Sequence, residues 1–305
     1  MNSSNSSEIE LKLNNSEVLF LVVFNSLEII VGALSNCFVI LTFLLASEMR
    51  KRPSDLLVLN LATADLIVLT AFQPWLTSII SDKSIGVKYY FFYEGLNSFV
   101  QLASGHAVFL IALDRFLAVS VPLKYPIWVR RNTIYEVIVL FWILALLIGI
   151  VNVMAYEFKF YQPFVAFWIT IQLILLLLIT LIYVAIFSSS VEQGRRIWRS
   201  ESVTQSEKLR HRLMLKITMN SFILVCFFYA TYLPVIIYIT HYSLVSVKSN
   251  DRQMAARAWI YSFSPVNCCC NPVFYVFRTE RFKHVCYRLW SRRNINNTCN
   301  EDLQV

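Results

Sequence analysis

Three consecutive cysteines, Cys268, Cys269 and Cys270, stand between two asparagines and ahead of a proline in "NCCCNPVFYVF", residues 267–277. Thiolates could ligate zinc or run redox chemistry. Consecutive helical residues point about 100° apart, however, so three in a row fan around a helix and cannot converge on one ion. Nor is their spacing that of the separated pairs of a zinc site. Small polarizable packing residues are the better reading. Asn267, Asn271 and Pro272 then carry the information. Other polar side chains interrupt apolar stretches: Asn36 in "LSNCFVI", Asp65 in "LVLNLATADLIV", and Asp114 with Arg115 in "LIALDRFLAVSVPLKY". An ionised group in hydrocarbon is costly unless paired or hydrated. One carboxylate among hydroxyl and amide oxygens suits a hard cation; a water-filled polar network would satisfy Asp65 as well. The sequence contains no HExxH, GxSxG or GxGxxG. His106 stands alone, and is read as hydrogen-bonded inside the protein rather than catalytic. Enzyme chemistry is not expected.

The elements that must position these residues follow from composition. The 305-residue chain is 57% hydrophobic and 15% charged, against about 25% charged for soluble domains. Mean hydropathy is +0.57. A helix crossing a bilayer needs about 20 mostly apolar residues, and seven segments qualify: 18–46, 55–80, 90–113, 134–155, 164–187, 217–241 and 255–277. The apolar runs are too long, and too little alternating, for barrel strands. The expected fold is an all-α membrane protein, a bundle of seven transmembrane helices.

An odd number of spans puts the two termini on opposite sides. Lys and Arg number three in 50–52, four from Arg115 to Arg131, seven from Arg195 to Lys216 and six from Arg278 to Arg293, which is 20 of the 27. The positive-inside rule then places the N-terminus outside and the C-terminus in the cytoplasm. The net charge of +8 reflects that topology and anionic inner-leaflet lipid, and nucleic acid is not an expected partner. Residues 1–17 read as a polar extracellular tail with sequons at Asn2, Asn5 and Asn14, either glycan sites or chance in a disordered Asn/Ser-rich run. Residues 18–277 form the bundle. Residues 278–291 suggest an amphipathic helix on the membrane surface, where Cys286 is a palmitoylation candidate or a free thiol. Residues 292–305 form a cytoplasmic tail. The Ser-rich, basic run 188–212 reads as a solvated linker or a phosphorylation segment.

Taken in order, Asn36, "LNLATAD" ending at Asp65, "DRF" at 114–116, Trp142, Pro234 and "NPVFY" at 271–275 resemble the landmarks of the rhodopsin-like (class A) G-protein-coupled receptors. The resemblance covers about residues 20–290. It implies that Arg115 meets a heterotrimeric G protein, that Asp114 restrains Arg115 at rest, and that Pro122 and Leu123 pack on the G protein. It further implies that Tyr183 and Tyr275 swing inward on activation, with Phe228, Tyr232, Pro234, Asn271 and Pro272 in the switch. Asn36, Asp65, Ser104, Asn267 and Asn271 match the family's polar pocket, which often holds an allosteric sodium ion. Pro272 reads as the hinge of the seventh helix. Arrestin and a receptor kinase are further partners that the family implies.

Departures accompany the match. Phe116 replaces the usual Tyr, Tyr232 the usual Trp, Leu175 the fifth-helix proline, and Gly105 a bulky core residue. Tyr90 stands where a disulfide cysteine is usual, so that bond cannot form and the pocket is expected to be more open. Melanocortin receptors are similar in this absence, in a short second outer loop and in an acid at Glu94. Asn97 in place of the amine-binding Asp disfavours a classical monoamine, and Pro265 in place of a lysine disfavours retinal. By resemblance Glu94, Asn97, Gln101, Tyr232 and Tyr261 line the ligand cavity, with Gln73, Trp75, Phe167 and Trp168 as additions. Glu94 pairs with a ligand or with a nearby Lys such as Lys88. The cavity suits a small peptide or a polar small molecule. The alternatives are a channel or transporter with Asp65 on its path, or a non-signalling partner receptor.

Overall fold

The structure, a computed structural model, describes residues 8–278 apart from 48, 50, 51, 200–203 and 246–250, together with 287–288. Six of its helical spans are long and apolar enough to cross a membrane, and a seventh is made of two shorter helices. Strand β1 is Glu8–Glu10 and α1 is Asn15–Leu45. Helices α2, Pro53–Ile67, and α3, Gln73–Asp82, are joined by a π-helical turn, Val68–Phe72, into the second span. Strand β2, Ser84–Gly86, precedes α4, Val87–Ser120, and the single turn α5, Tyr125–Trp128. Then come α6, Arg131–Glu157, α7, Tyr161–Arg199, and α8, Gln205–Val245. Helices α9, Asp251–Phe263, and α10, Val266–Arg278, complete the bundle.

Prolines explain two irregularities. Pro74 has no N–H to return to Thr70, and the chain adapts just before it: the Gln73 N–H reaches back five residues to the Val68 carbonyl. Pro265 likewise cannot donate, and the seventh span breaks at Ser264–Pro265, where Cys268 N donates to Pro265 O at 2.8 Å. Around the expected hinge at Pro272, α10 runs without a break. The carbonyl that Pro272 strands, that of Cys268, accepts from Asn36 Nδ2 at 2.9 Å. A side chain on α1 thus completes the backbone of α10 where hydrocarbon offers no partner.

Helix α4 is central, packing against α2, α6, α7 and α8. It meets α6 backbone to backbone. A Cβ on Gly95 would lie 2.8 Å from the Gly149 carbonyl oxygen, and one on Gly149 would lie 2.9 Å from that of Gly95. Paired small residues let membrane helices approach this closely. Trp142 Nε1 donates to Asn60 Oδ1 at 2.8 Å and ties α6 to α2.

Three expectations change. The stretch 8–13 is ordered: β1 pairs antiparallel with β2, Ile9 facing Ile85, and Leu11 N donates to Lys83 O at 2.7 Å. Leu11 and Leu13 are buried while Glu10 and Lys12 face out, the two-residue period of a strand. Asn14 is the N-cap of α1 in a reciprocal capping box with Glu17. The run 188–212 is mostly helix, because α7 continues to Arg199 and α8 starts at Gln205 behind a Thr204–Glu207 cap. Glu, Gln, Arg and Lys are good helix formers, and Gln193 Nε2 anchors the α7 extension to Val119 O at 2.7 Å. The expected amphipathic helix 278–291 lies outside the described residues except for Arg278 and 287–288, as do Asn2, Asn5 and Cys286.

Replacing Gly149 by Val should lower the thermal midpoint of the detergent-solubilised protein by an amount equivalent to about 1–3 kcal/mol. Gly194→Ala, whose new Cβ meets nothing closer than 3.6 Å, should leave the midpoint in place.

Candidate functional site

Polar side chains that the spans carry inward meet at three levels. The first lies near the face that bears the N-terminus. Arg257 on α9 forms an ion pair with Glu94 on α4, their side chains 14% and 7% exposed. Its Nη1 donates to the Tyr90 hydroxyl and its Nη2 to that of Tyr261 at 3.3 Å. The guanidinium also lies over the Tyr90 and Tyr261 rings, 5.3 and 4.8 Å from their centroids. Glu94 is therefore partnered by Arg257; the Lys88 side chain lies outside those described. Asn152 Nδ2 donates to Glu94 O at 2.9 Å and to Ser98 Oγ at 2.7 Å, fixing that turn of α4 against α6.

From Tyr261 a chain of hydrogen bonds descends. Asn97 Nδ2 donates to the Tyr261 hydroxyl at 3.3 Å, Gln101 Nε2 to Asn97 Oδ1 at 2.7 Å, and the Tyr232 hydroxyl to Gln101 Oε1 at 2.9 Å. Gln172 on α7 donates to the same hydroxyl. The Tyr232 ring stacks on Phe228 at 4.9 Å. All five expected ligand-cavity residues are thus joined in one network. Trp168 also lines the cavity beside Glu94 and Asn97, and Trp75 packs edge-on against Tyr93. Two additions are corrected. Phe167 is 52% exposed on the outer surface of the bundle. Gln73 is buried away from the cavity, its Nε2 donating to Asn25 Oδ1 at 3.0 Å and Glu28 Oε2 at 2.9 Å.

The second level surrounds Asp65, which is fully buried. Asn271 Nδ2 donates to its Oδ2 at 2.7 Å, and the Ser104 hydroxyl and Cys268 thiol lie alongside. Asp65 Oδ1 and the Oδ1 atoms of Asn36, Asn267 and Asn271 are buried without a hydrogen-bond donor. Four buried acceptor oxygens without a protein donor could be met by a hard cation or by ordered water. Cys268 faces this pocket, Cys269 sits 3.4 Å from Glu28 O, and Cys270 is half-buried, so the three thiols do fan apart. Gly105 faces Leu175 and Phe228: its Cβ would lie 3.0 Å from Leu175 Cδ2 and 3.7 Å from Phe228 Cζ. His106 stacks on Phe141 at 4.3 Å, and its buried Nδ1 makes no hydrogen bond. Ring stacking rather than the expected hydrogen bond holds it.

The third level lies at the opposite face. Arg115 pairs with Asp114, and the Tyr125 hydroxyl on α5 donates to Asp114 Oδ1 at 2.7 Å. Burial and the Asp114 charge push the Tyr125 phenol above its ordinary value, so it stays a neutral donor. Pro122 and Leu123 project from the loop, Leu123 88% exposed. Tyr183 is buried against the Phe222 ring. An apolar groove of about 1010 Å³ runs between α7 and α8 past Tyr183, Phe222 and Tyr229. Tyr275 lies in α10, with its side chain outside those described.

Arg257, Gln172, Glu28 and Tyr125 are absent from the residues expected to form the site. The first three are polar residues inside predicted apolar spans, the signal that singled out Asp65.

The 7 transmembrane receptor (rhodopsin family) pattern matches residues 35–275. The chain is 26% identical to the somatostatin receptor type 2 of Sus scrofa, over 92% of this chain and 79% of that protein. It is 21% identical to the alpha-1A adrenergic receptor of Oryzias latipes, over 93% and 69%. It is 24% identical to the Mas-related G-protein coupled receptor member B4 of Rattus norvegicus, over 93% and 83%.

Changing Tyr232 to Phe strips the hydroxyl shared by Gln101 and Gln172 and leaves two buried amides short of a partner. The thermal midpoint should fall by the equivalent of about 1–3 kcal/mol. A midpoint equal to that of the wild type would contradict the network.

Proposed function

Because the chain belongs to the rhodopsin family of seven-transmembrane receptors, it is a multi-pass membrane receptor and not an enzyme, and we propose how its geometry signals. The N-terminal face is extracellular and binds a small peptide or a polar small molecule. The opposite face is cytoplasmic and activates a heterotrimeric G protein. The names of the relatives point to different ligands, so the ligand class is argued from the cavity: amide and phenol groups around one ion pair.

The observation that carries this reading is the unbroken line from Arg257 and Glu94 through Tyr261, Asn97 and Gln101 to Tyr232 and its stacked Phe228. A ligand that reorganises Gln101 pulls on Tyr232, two residues before Pro234. There α8 lacks a backbone hydrogen bond and bends most readily. Outward movement of its cytoplasmic half widens the groove beside Tyr183 and releases Arg115. Such a two-state element responds only to a ligand that prefers one of its states.

At rest Asp114, held by Tyr125, keeps Arg115 from the G protein, and exposed Pro122 and Leu123 give that partner an apolar foothold. Asn36, Asp65, Ser104, Asn267 and Asn271 would hold a sodium ion, whose charge would neutralise Asp65 and favour the resting packing of α10. Asn2, Asn5 and Asn14 carry glycans, Cys286 a palmitoyl chain on the inner leaflet, and arrestin and a receptor kinase act on the same cytoplasmic face. The pairing of Asp65 with Asn271 and its burial argue against an open path through a channel.

Arg115→Ala in cells should abolish G-protein dissociation while leaving surface expression intact. Signalling unaltered by that change would overturn the mechanism. Tyr125→Phe frees one oxygen of Asp114 and should raise basal activity about two- to fivefold, as loss of one hydrogen bond to a charged group would allow.

A further inference from the structure

Two small cavities flank the Glu94–Arg257 ion pair. One is bounded by Ile9, Leu11, Tyr90, Tyr93, Arg257 and Tyr261, the other by Glu94, Asn97, Trp168, Asn152, Arg257 and Tyr261. Each is about 30 Å³, room for little more than a water molecule. Arg257 and Tyr261 belong to both, so they form the partition. Displacing the Arg257 side chain from Glu94 would remove one of the two side chains of that partition.

Charge restricts what can do this. Among the described residues, Glu94 and Arg257 are the only charged side chains lining either cavity, and both are largely withdrawn from solvent. A cation alone on Glu94 would strand the guanidinium. An anion alone on Arg257 would strand the carboxylate. Leaving one partner of a buried pair uncompensated is strongly unfavourable. A ligand bearing both charges close together replaces both halves at once and leaves the site neutral. Arg257 also has donor capacity to spare: its Nε–H is buried and makes no hydrogen bond, and a second carboxylate oxygen in the ligand would accept it. The Tyr90, Tyr93, Tyr261 and Trp168 rings supply walls for an aromatic side chain.

We infer that this site takes an aromatic, amino-acid-like zwitterion, its ammonium on Glu94 and its carboxylate on Arg257. The inference rests on the reading of this cavity as the ligand site of a receptor. Exchanging one ion pair for two opens the partition and frees Tyr261, the first link of the chain that reaches Tyr232.

The test uses the full-length protein in detergent with L-tyrosine, L-phenylalanine and L-tryptophan, each also as its N-acetyl and C-amide form. At least one free amino acid should raise the thermal midpoint, and its capped forms should need roughly a hundredfold higher concentration. The E94Q/R257Q double variant keeps hydrogen-bonding amides without charges that need compensation, so it tests selectivity without stranding a charge. In it the three forms should act within about threefold of one another, once the buried charges are gone. Capped forms as effective as the free ones, no midpoint shift with any of the three amino acids, or selectivity surviving in the double variant would each overturn the inference. Arg115-dependent G-protein dissociation measured alongside separates the two readings. If it is present without any response to zwitterions, only the ligand assignment fails. If it is absent, the signalling reading fails, and the midpoint shift alone decides the ligand.

Discussion

Hydrocarbon provides no hydrogen-bond partner, and that constraint organises this bundle. The bond from Asn36 Nδ2 to the Cys268 carbonyl is its clearest expression. Pro272 removes the N–H that would have satisfied that carbonyl, and a side chain from another helix replaces it. The replacement fixes α1 against α10 at one height, and with them the height of Asn271 beside Asp65. The same logic sets Trp142 on Asn60 and Asn152 on the Glu94 carbonyl. Between these polar fastenings, close backbone approach at Gly95 and Gly149 supplies the dispersion contacts that hold α4 to α6.

Placed in series, these fastenings become a line of communication. Arg257, Tyr261, Asn97, Gln101 and Tyr232 belong to three neighbouring helices, and each is hydrogen-bonded to the next. All five are largely withdrawn from solvent, so a change at one of them bears on its neighbour in the line. Some departures from family habit fall on or beside this line. Tyr232 brings a hydroxyl where an indole is usual, and at Gly105 Leu175 closes in so far that even a Cβ would lie 3.0 Å from its Cδ2. A hydroxyl gripped by two glutamines substitutes polar restraint for packing.

Much of this was legible from residue types and order. Seven apolar stretches gave seven spans, because the bilayer fixes element length. Asp65, Arg115 and Asn271 stood out because polar groups in apolar runs require a reason. Arg257 and Glu28 obey the same rule, but Arg257 lies near a span end, where a lone charge resembles an interface residue. Where Arg257 finds its partner depends on α9 facing α4, a tertiary fact with no local trace. The alternation in "EIELKL" was a readable strand signal of three apolar positions, masked by the Asn/Ser-rich residues around it. The extensions of α7 and α8 were hidden by serine, whose preference for loops is overridden by anchors such as Gln193 on Val119. Pro272 shows the converse: a local rule for breaking helices gave way to a distant amide.

The paired strands β1 and β2 have a consequence for the medium in which this protein works. They lay Ile9 and Leu11 along the cavity that contains Arg257, on the face where a disulfide usually secures a loop. Here the fastening is made of backbone hydrogen bonds and buried leucines, and Cys37, Cys226, Cys268, Cys269 and Cys270 are all free thiols. A cover of that kind is indifferent to glutathione and other reductants. It is sensitive instead to whatever competes for main-chain hydrogen bonds or severs the tail, so a protease that trims the first dozen residues would act on it where a change of redox poise would not.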